Sequence, residues 1–184
     1  MFVLRIICVM LALCLTACSG QSRRDTSTDG ALMLLSPASL GHDLALQQRL
    51  TLHAGKASQD FDALLEVDSL ELRLSVQVMG QSALALRWDG KQLRQQRAYW
   101  VPATLQAEHV LSDLQLVFWP AESVRSALPA GWTLLETSHG RQMMQASAQR
   151  ATVRYLEPGH VVLERFEPSY RLDIVSQDLS VDRP

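Results

Sequence analysis

The sequence has few cysteines, few aromatic residues and no concentrated positive charge. Its 184 residues include 3 Cys and 6% aromatic side chains, and 17 Lys and Arg stand against 19 Asp and Glu. No segment gathers basic residues into the patch that nucleic-acid-binding proteins carry, so DNA and RNA are excluded as expected partners. With 47% hydrophobic and 20% charged residues, the chain is neither disordered, collagenous nor a multi-span membrane protein.

Motifs that mark catalytic sites are also missing from the sequence. It has no Gly-x-Ser-x-Gly elbow, no phosphate-binding glycine loop and no His-Glu-x-x-His or Cys-x-x-Cys pair. No two of the five histidines have the close spacing that metal sites commonly use. His42 and Asp43 lie near Ser39, but residues so close in sequence do not imply the geometry of a catalytic triad. We therefore expect a protein that is not an enzyme and needs neither metal nor cofactor.

The N-terminus has the features of a secreted lipoprotein. Arg5 precedes an apolar run at residues 6–15, which is too short to cross a bilayer, so residues 1–17 are predicted to be a signal peptide. The next block, Leu15-Thr16-Ala17-Cys18, resembles the bacterial lipobox, whose cysteine is lipidated on sulfur and becomes residue 1 after cleavage. Cys18 is the predicted lipidation site. Its acyl chains, at roughly 0.8 kcal/mol per buried methylene, are expected to anchor the protein in lipid.

The rest of the chain is predicted to be one tethered domain. Residues 18–30 are polar and rich in Ser, Thr and Gly, which is typical of a flexible tether. Residues 31–184 show no internal repeat and no second linker, so we expect one folded unit facing the periplasm. Cys8 and Cys14 leave with the signal peptide, which excludes a disulfide. Ser19 after the acylated cysteine favours export to the outer membrane.

Alternating apolar and polar residues indicate strands over most of this domain. Residues 70–78 alternate without a fault, and Asp89-Gly90 is a hairpin signal. The segments with strand character are residues 44–52, 70–78, 82–88, 92–99, 132–136, 142–146, 152–156, 161–166 and 170–175. About ten antiparallel strands are expected in all. The predicted fold is mainly β, of the α+β kind, with a strongly curved antiparallel sheet or open half-barrel.

Between the two sets of strands the apolar period changes to 3.6, which predicts a helix over residues 108–118. Its apolar side consists of Val110, Leu111, Leu114, Val117 and Phe118, and its polar side of Glu108, Ser112, Asp113 and Gln115. Trp119-Pro120 is expected to end this helix, and Pro120 can open a second short helix through Val124 to Leu128. We expect the helices to cover the concave apolar face as a plug or lid.

Several sequence blocks resemble a family of bacterial outer-membrane lipoproteins of unknown function, often encoded beside aryl-polyene pigment genes. These blocks are LSPASLG at residues 35–41, LEVD at 65–68, Trp88-Asp89-Gly90, DLQL at 113–116 with Trp119-Pro120, and Gly131-Trp132. The strand number, central helices and lipid anchor are more distantly similar to those of LolB and LolA. That resemblance implies an open half-barrel whose apolar concave face, covered by helices, holds acyl chains.

The resemblance also implies what the protein does. It would bind an acyl or polyene chain in a hollow on the concave face and assist lipid or lipoprotein delivery to the outer membrane, with a LolA-like periplasmic carrier as a partner. The 31 leucines supply the apolar surface. The expected lipid-binding residues are Leu46, Leu72, Leu74, Val76, Leu84, Leu86, Leu114, Val117 and Phe118. Met79, an apolar residue at a hairpin tip before Gly80, is the candidate for a protruding loop that touches lipid or cargo.

Two other functions stay open at this stage. The leucines could form the closed core of a structural or assembly lipoprotein that acts through protein partners, and a packed interior beneath the helix at 110–118 would favour that alternative. An acyl-processing enzyme would instead require a polar residue beside a base inside the concavity, for which His42 and Asp43 are the candidates.

Overall fold

The computed structural model describes residues 32–102 and 105–179, which form one ten-stranded antiparallel sheet and two helices. The strands are β1 (Leu44–Ala54), β2 (Ala57–Val67), β3 (Leu72–Val78), β4 (Gln81–Trp88), β5 (Leu93–Arg97), β6 (Trp132–Thr137), β7 (Gly140–Gln145), β8 (Ala148–Glu157), β9 (His160–Phe166) and β10 (Ser169–Asp178). Their order across the sheet is β5-β4-β3-β2-β1-β10-β9-β8-β7-β6. With β5 and β6 at its two edges, the sheet is open. The predicted mainly β fold is confirmed, and the architecture is consistent with an open half-barrel.

Most strands have one apolar, buried side and one polar side, whereas β5 at the edge has only the half-buried Leu93 and four exposed polar residues. In β3 the Leu and Val positions face inward, whereas Arg73 and Gln77 are exposed. The register then sets buried residues side by side: Leu65 of β2 lies opposite both Leu46 of β1 and Leu74 of β3. We call the buried side of the sheet the inner face and the opposite side the outer face.

Strand β2 is not predicted by the alternation of apolar and polar residues. Its first four residues, at positions 57–60, are small or polar and exposed. Leu64 further interrupts the alternation of Phe61, Ala63 and Leu65. The strand nevertheless pairs with β1 along its whole length, because backbone hydrogen bonds do not depend on the type of side chain.

The two helices begin and end where the sequence predicts. Helix α1 spans Ala107–Phe118, and α2 spans Ala121–Ala127. The backbone N–H of Trp119 donates the last helical bond of α1, to the carbonyl of Gln115. Pro120 follows, lacks a backbone donor, and stands at the cap position of α2.

A segment at the start of the described chain packs against α1, and it includes a short 3₁₀ helix at Pro37–Leu40. We call residues 32–41 the strap. The backbone N–H of Met33 donates to Ser112 Oγ at 3.2 Å. Gln115 accepts from the N–H of Leu35 at 3.0 Å and donates to the carbonyl of the same residue at 2.8 Å. A side-chain amide thus pairs with the strap backbone as a neighbouring strand would.

The second half of the strap is held by indole groups. Trp119 Nε1 donates to Ser39 Oγ at 2.9 Å, and Trp88 Nε1 donates to the carbonyl of Leu35 at 2.7 Å. Ser123 of α2 donates to the carbonyl of Ser39. The strap therefore joins α1, α2 and the end of β4.

The predicted two-sided pattern of α1 is only partly right. Ser112 and Gln115, assigned to its polar side, are 1% and 0% exposed, and Val110 is only half-buried. The reason is that α1 packs between the sheet and the strap, so two of its sides are covered. Periodicity within a single helix cannot show that a distant segment will cover its polar side.

Some predicted features lie outside the described residues. These are the signal peptide at 1–17, the tether at 18–30 with Cys18, and the ends of the predicted domain, residue 31 and residues 180–184. In the two ranges that are described, no helix combines the length and the apolar character needed to cross a membrane.

Candidate lipid-binding face

The fold brings the nine predicted lipid-binding residues together. The strands contribute Leu46, Leu72, Leu74, Val76, Leu84 and Leu86, and α1 contributes Leu114, Val117 and Phe118. Seven of them belong to one buried hydrophobic cluster, and Leu114 and Phe118 pack against it half-buried. The strand residues are neighbours across β1, β3 and β4, with Leu65 of β2 between them.

These residues are covered by other side chains of the protein. The six strand residues are between 0% and 8% exposed, and Val117 is 3% exposed. Leu111, Leu116 and Trp119 are buried in the same cluster. Side chains that line an open hollow keep accessible surface. In the conformation described, the expected hollow beneath α1 is therefore replaced by a packed core.

Another part of the inner face is only half covered. Leu50 and Leu52 of β1, Phe61 of β2 and Leu172 of β10 are all half-buried. Leu50 lies opposite Phe61 in the register, and Leu52 lies opposite Leu172. We call these four residues the half-buried patch. It is continuous across three neighbouring strands.

The half-buried patch lies toward the end of the sheet that carries the β1–β2, β3–β4 and β9–β10 turns, which we call the upper end. A cleft of about 430 Å³ at this end is lined by Arg49, Ser58, Asp60 and Asp62, which lie on the outer-face phase of β1 and β2, together with Gln59, Phe61 and Met79. It is therefore separate from the half-buried patch.

Met79 lies at the exposed hairpin tip, as predicted. Its side chain is 95% exposed, and the φ angles of Met79 and Gly80 are 49° and 76°. Positive φ at both central residues defines a type I′ turn, in which Asn, Asp or Gly is preferred at the first position. Local folding preferences therefore do not explain a methionine here.

Two exposed aromatic residues lie at the same upper end. Arg97 of β5 pairs with Leu84, and the N–H of Ala98 donates to the carbonyl of Ala83, so the chain continues toward the β3–β4 turn. Tyr99 and Trp100 follow and are 99% and 42% exposed. Tyr and Trp side chains have an apolar body and a polar tip, which suits a boundary between lipid and water.

A buried polar cluster connects α1 to the inner face. Arg165 of β9 donates from Nε to Asp113 Oδ1 at 2.7 Å, and its Nη2 lies 2.5 Å from the same oxygen in an ion pair. The hydroxyl of Tyr170 in β10 donates to Asp113 Oδ2. The side chains of Arg165 and Asp113 are 9% and 13% exposed. Burial first, and the charge of Asp113 second, raise the pKa of Tyr170 far above its ordinary value, so the phenol stays protonated.

The C-terminal end of α1 is held to the sheet by two more polar side chains. Arg141 of β7 donates to the carbonyls of Leu116 and Trp119 at 2.8 and 2.7 Å. Tyr155 of β8 donates to the carbonyl of Val117 at 2.8 Å, and burial raises the pKa of its phenol. These contacts satisfy free carbonyls at the helix end, and the arginine charge complements the helix dipole.

His53 and His160 lie on the outer face, because they alternate with inward-facing residues of their strands. His53 Nε2 lies 3.5 Å and His160 Nε2 lies 3.7 Å from the carboxylate of Asp173. Hydrogen bonds from Arg171 are the main cause that lowers the pKa of Asp173. Over residues 32–102 and 105–179, no group of three or more His, Cys, Asp or Glu side chains is placed to hold a metal ion.

The residues considered for acyl processing lie away from the inner face. His42 and Asp43 are exposed between the strap and β1. The hydroxyl of Ser39 donates to the carbonyl of Ser36 and accepts from the indole of Trp119. The serine thus serves in the attachment of the strap.

Sequence reasoning missed the buried polar cluster, although a signal for it was present. Arg165 falls on the same strand phase as Val161 and Leu163, and Tyr170 falls on the phase of Leu172. A charged residue on the apolar phase of a strand requires a buried partner. Its partner, Asp113, is 52 residues away in sequence, so only the fold could identify it.

Ten antiparallel strands in one open sheet, with two helices and an N-terminal strap packed on an apolar inner face, define the class of this protein. The chain belongs to the family described as "Protein of unknown function (DUF3261)", whose model matches residues 45–178. The match covers both helices and all of the sheet except the first residue of β1, and it begins after the strap. No curated protein matches the sequence.

Proposed function

We propose that this protein is an outer-membrane lipoprotein that binds an acyl or polyene chain on its inner face and assists delivery of a lipid or lipoprotein to the outer membrane. Acylated Cys18 would anchor it, with the domain facing the periplasm. The observation that carries the proposal is the half-buried patch. Four large apolar side chains, contiguous across three strands, keep accessible surface that folding alone favours covering.

In this proposal the ligand enters at the half-buried patch and α1 moves aside to admit the rest of the chain. Hydrogen bonds attach α1 to the sheet through Arg165, Tyr170, Arg141 and Tyr155. The bond of Tyr155 joins neutral groups and is worth about 1 kcal/mol, whereas the bonds of Arg165, Tyr170 and Arg141 involve a charge and are worth roughly 1.5–3 kcal/mol each. Movement of α1 therefore requires that the ligand replace part of these contacts. A chain of about sixteen carbons would contribute on the order of 13 kcal/mol, before ordering costs.

The upper end is the side that we propose faces the membrane or a carrier. Met79, Tyr99 and Trp100 expose apolar surface there, at the end of the sheet toward which the half-buried patch lies. Apolar and amphipathic side chains of this kind insert into the boundary between headgroups and acyl chains. The donor would be a periplasmic carrier similar to LolA, and the acceptor would be the outer membrane.

The test is photolabelling of the full-length protein in membranes with hexadecanoic acid that carries a diazirine. We expect labelled peptides from the half-buried patch and competition by unlabelled hexadecanoic acid. Leu52→Asp should raise the probe concentration for half-maximal labelling at least about tenfold, because the ligand loses an apolar contact worth roughly 1.5–3 kcal/mol. Leu64→Asp is the matched control, since Leu64 is 38% exposed and lies on the outer face opposite Gln47 and Ser75.

The packed core beneath α1 favours one other function. A structural or assembly lipoprotein would need its leucines only as a closed core, and Leu72 and Leu86 are 0% and 1% exposed. That function predicts no saturable labelling of the inner face. Equal labelling of the wild type and the Leu52→Asp variant would also support it against lipid binding.

A further inference from the structure

On the inner face, both oxygens of the Asp113 carboxylate accept hydrogen bonds from side chains of the sheet. Arg165 lies on the strand phase of Leu163, which is 0% exposed, and it stands opposite the buried Ala151. Its charge is balanced by Asp113 of α1. A buried ion pair of this kind adds little net stability compared with apolar residues of similar volume, so folding alone does not explain it.

The contacts are those of a carboxylate-binding site. One carboxylate oxygen accepts a hydrogen bond from the guanidinium Nε and forms an ion-pair contact with Nη2, and the other accepts the phenol of Tyr170. Charge-assisted bonds of this type are among the strongest polar contacts in proteins. The phenol of Tyr170 is protonated at neutral pH and available as a donor, and burial raises its pKa further. Both donors come from the sheet, and only the acceptor, Asp113, comes from α1.

The donors border the half-buried patch. Tyr170 and Leu172 are two residues apart on the same side of β10, which places them about 7 Å apart along the strand. Leu172 pairs with Leu52, which belongs to the same patch. A ligand with its anionic end at Arg165 and Tyr170 could therefore lay its apolar chain along the patch.

We propose that Arg165 and Tyr170 form the head-group subsite of the inner face for an acyl or polyene chain that ends in a free carboxylate, and that Asp113 fills this subsite when the ligand is absent. This inference rests on the proposed function and narrows its ligand class to carboxylic acids. The ligand carboxylate takes the place of Asp113, which leaves the sheet with α1. Ligand binding and movement of α1 are then coupled, because the ligand carboxylate replaces that of Asp113 as the acceptor for Arg165 and Tyr170.

The experiment compares two photoreactive probes on the full-length protein in vesicles of phosphatidylethanolamine and phosphatidylglycerol. One probe is hexadecanoic acid with a diazirine, and the other is its methyl ester, which has the same chain without the charge. For the wild type we expect half-maximal labelling by the acid at a concentration about tenfold lower than by the ester. One charge-assisted hydrogen bond accounts for a difference in affinity of that size.

The variants distinguish binding of the carboxylate by the head-group subsite from binding of the chain by the apolar face. Arg165→Gln should abolish the preference for the acid, and Tyr170→Phe, which keeps the ion pair, should reduce it. Asp113→Asn should strengthen labelling by the acid about tenfold and by the ester much less, because the internal competitor is gone. Arg154→Gln is the control, since Arg154 pairs with Glu164 on the outer face. It should keep the preference of the wild type.

Each outcome has a definite meaning. Equal labelling by acid and ester in the wild type and in Asp113→Asn overturns the carboxylate subsite while the proposed function stands. Absence of saturable labelling by either probe overturns both. If circular dichroism shows that Arg165→Gln does not fold, Tyr170→Phe and Asp113→Asn decide. An unchanged acid preference in Tyr170→Phe together with an unchanged acid affinity in Asp113→Asn would then contradict the inference.

Discussion

Met79 shows how a single residue can depart from what its turn prefers. The residue adopts a φ of 49° with its side chain 95% exposed, so it gains almost no packing in return for an unfavourable backbone conformation. Ala146, at the β7–β8 turn, has a similar φ of 52°. The two positions therefore form a natural pair for comparison at the residue scale.

Met79→Asn should stabilise the protein by about 1 kcal/mol, because Asn tolerates the left-handed conformation and Met79 loses no buried contact. Urea unfolding monitored by circular dichroism measures this change. If Met79 contacts the membrane during delivery, the same variant should also slow transfer of the photoreactive acid to acceptor vesicles, by roughly tenfold for the loss of one inserted apolar side chain. Ala146→Asn should stabilise the protein without slowing transfer. A destabilised Met79→Asn variant would mean that the side chain packs against a neighbour.

Arg165 illustrates what the sequence reveals about a residue and what it does not. Its place on the apolar phase of β9 is readable from the spacing to Leu163. Its partners on α1 and β10 are not readable, because strand phase tells which side a residue faces and not which helix will cover it. The buried polar cluster had to come from the fold.

At the scale of elements, α1 is the part of the molecule whose surroundings matter most. Its boundaries follow from the Trp119-Pro120 stop and the apolar period, and each boundary lies within one residue of the predicted position. Its contacts do not follow from them, since the strap approaches from about 80 residues away in sequence. Ser112 and Gln115 are buried because the strap backbone needs hydrogen-bond partners at that position.

Gln115→Ala should destabilise the attachment of the strap. The variant leaves the buried N–H of Leu35 without its partner, which should cost about 2 kcal/mol of the free energy of unfolding. Hydrogen exchange should show faster exchange over residues 33–40 and little change in the central strands. Gln142→Ala, at an exposed position of the outer face, is the matched control. Unchanged exchange at Leu35 would show that the strap is held without Gln115.

At the scale of the whole molecule, the ten-stranded sheet and the predicted anchor answer different questions. The sheet explains how apolar surface is held and partly left accessible. The anchor would explain where this happens, and it is predicted from Cys18 and the residues before it. The two predictions can be tested separately.

Cys18→Ser should release the protein from the membrane, because the acylated side chain is the only anchor that the sequence predicts. Cell fractionation should find nearly all of the wild type in the outer-membrane fraction and the variant outside it. Cys14→Ser is the matched control, since Cys14 lies within the predicted signal peptide and its loss should not change the fraction. A Cys18→Ser variant that stays in the outer-membrane fraction would contradict the lipidation site.

Short-range patterns alone determined much of this protein: nine of the ten strands, both helices, the turns and the apolar side of its element on which each of Leu46, Leu74 and Val117 lies. These follow from side-chain spacing, which is a local property. The tertiary structure decided that the space beneath α1 is filled, that the half-buried patch stays accessible, and that Arg165 and Asp113 meet. Those outcomes depend on contacts between segments far apart in the chain, and such contacts arise only when the whole sheet has formed.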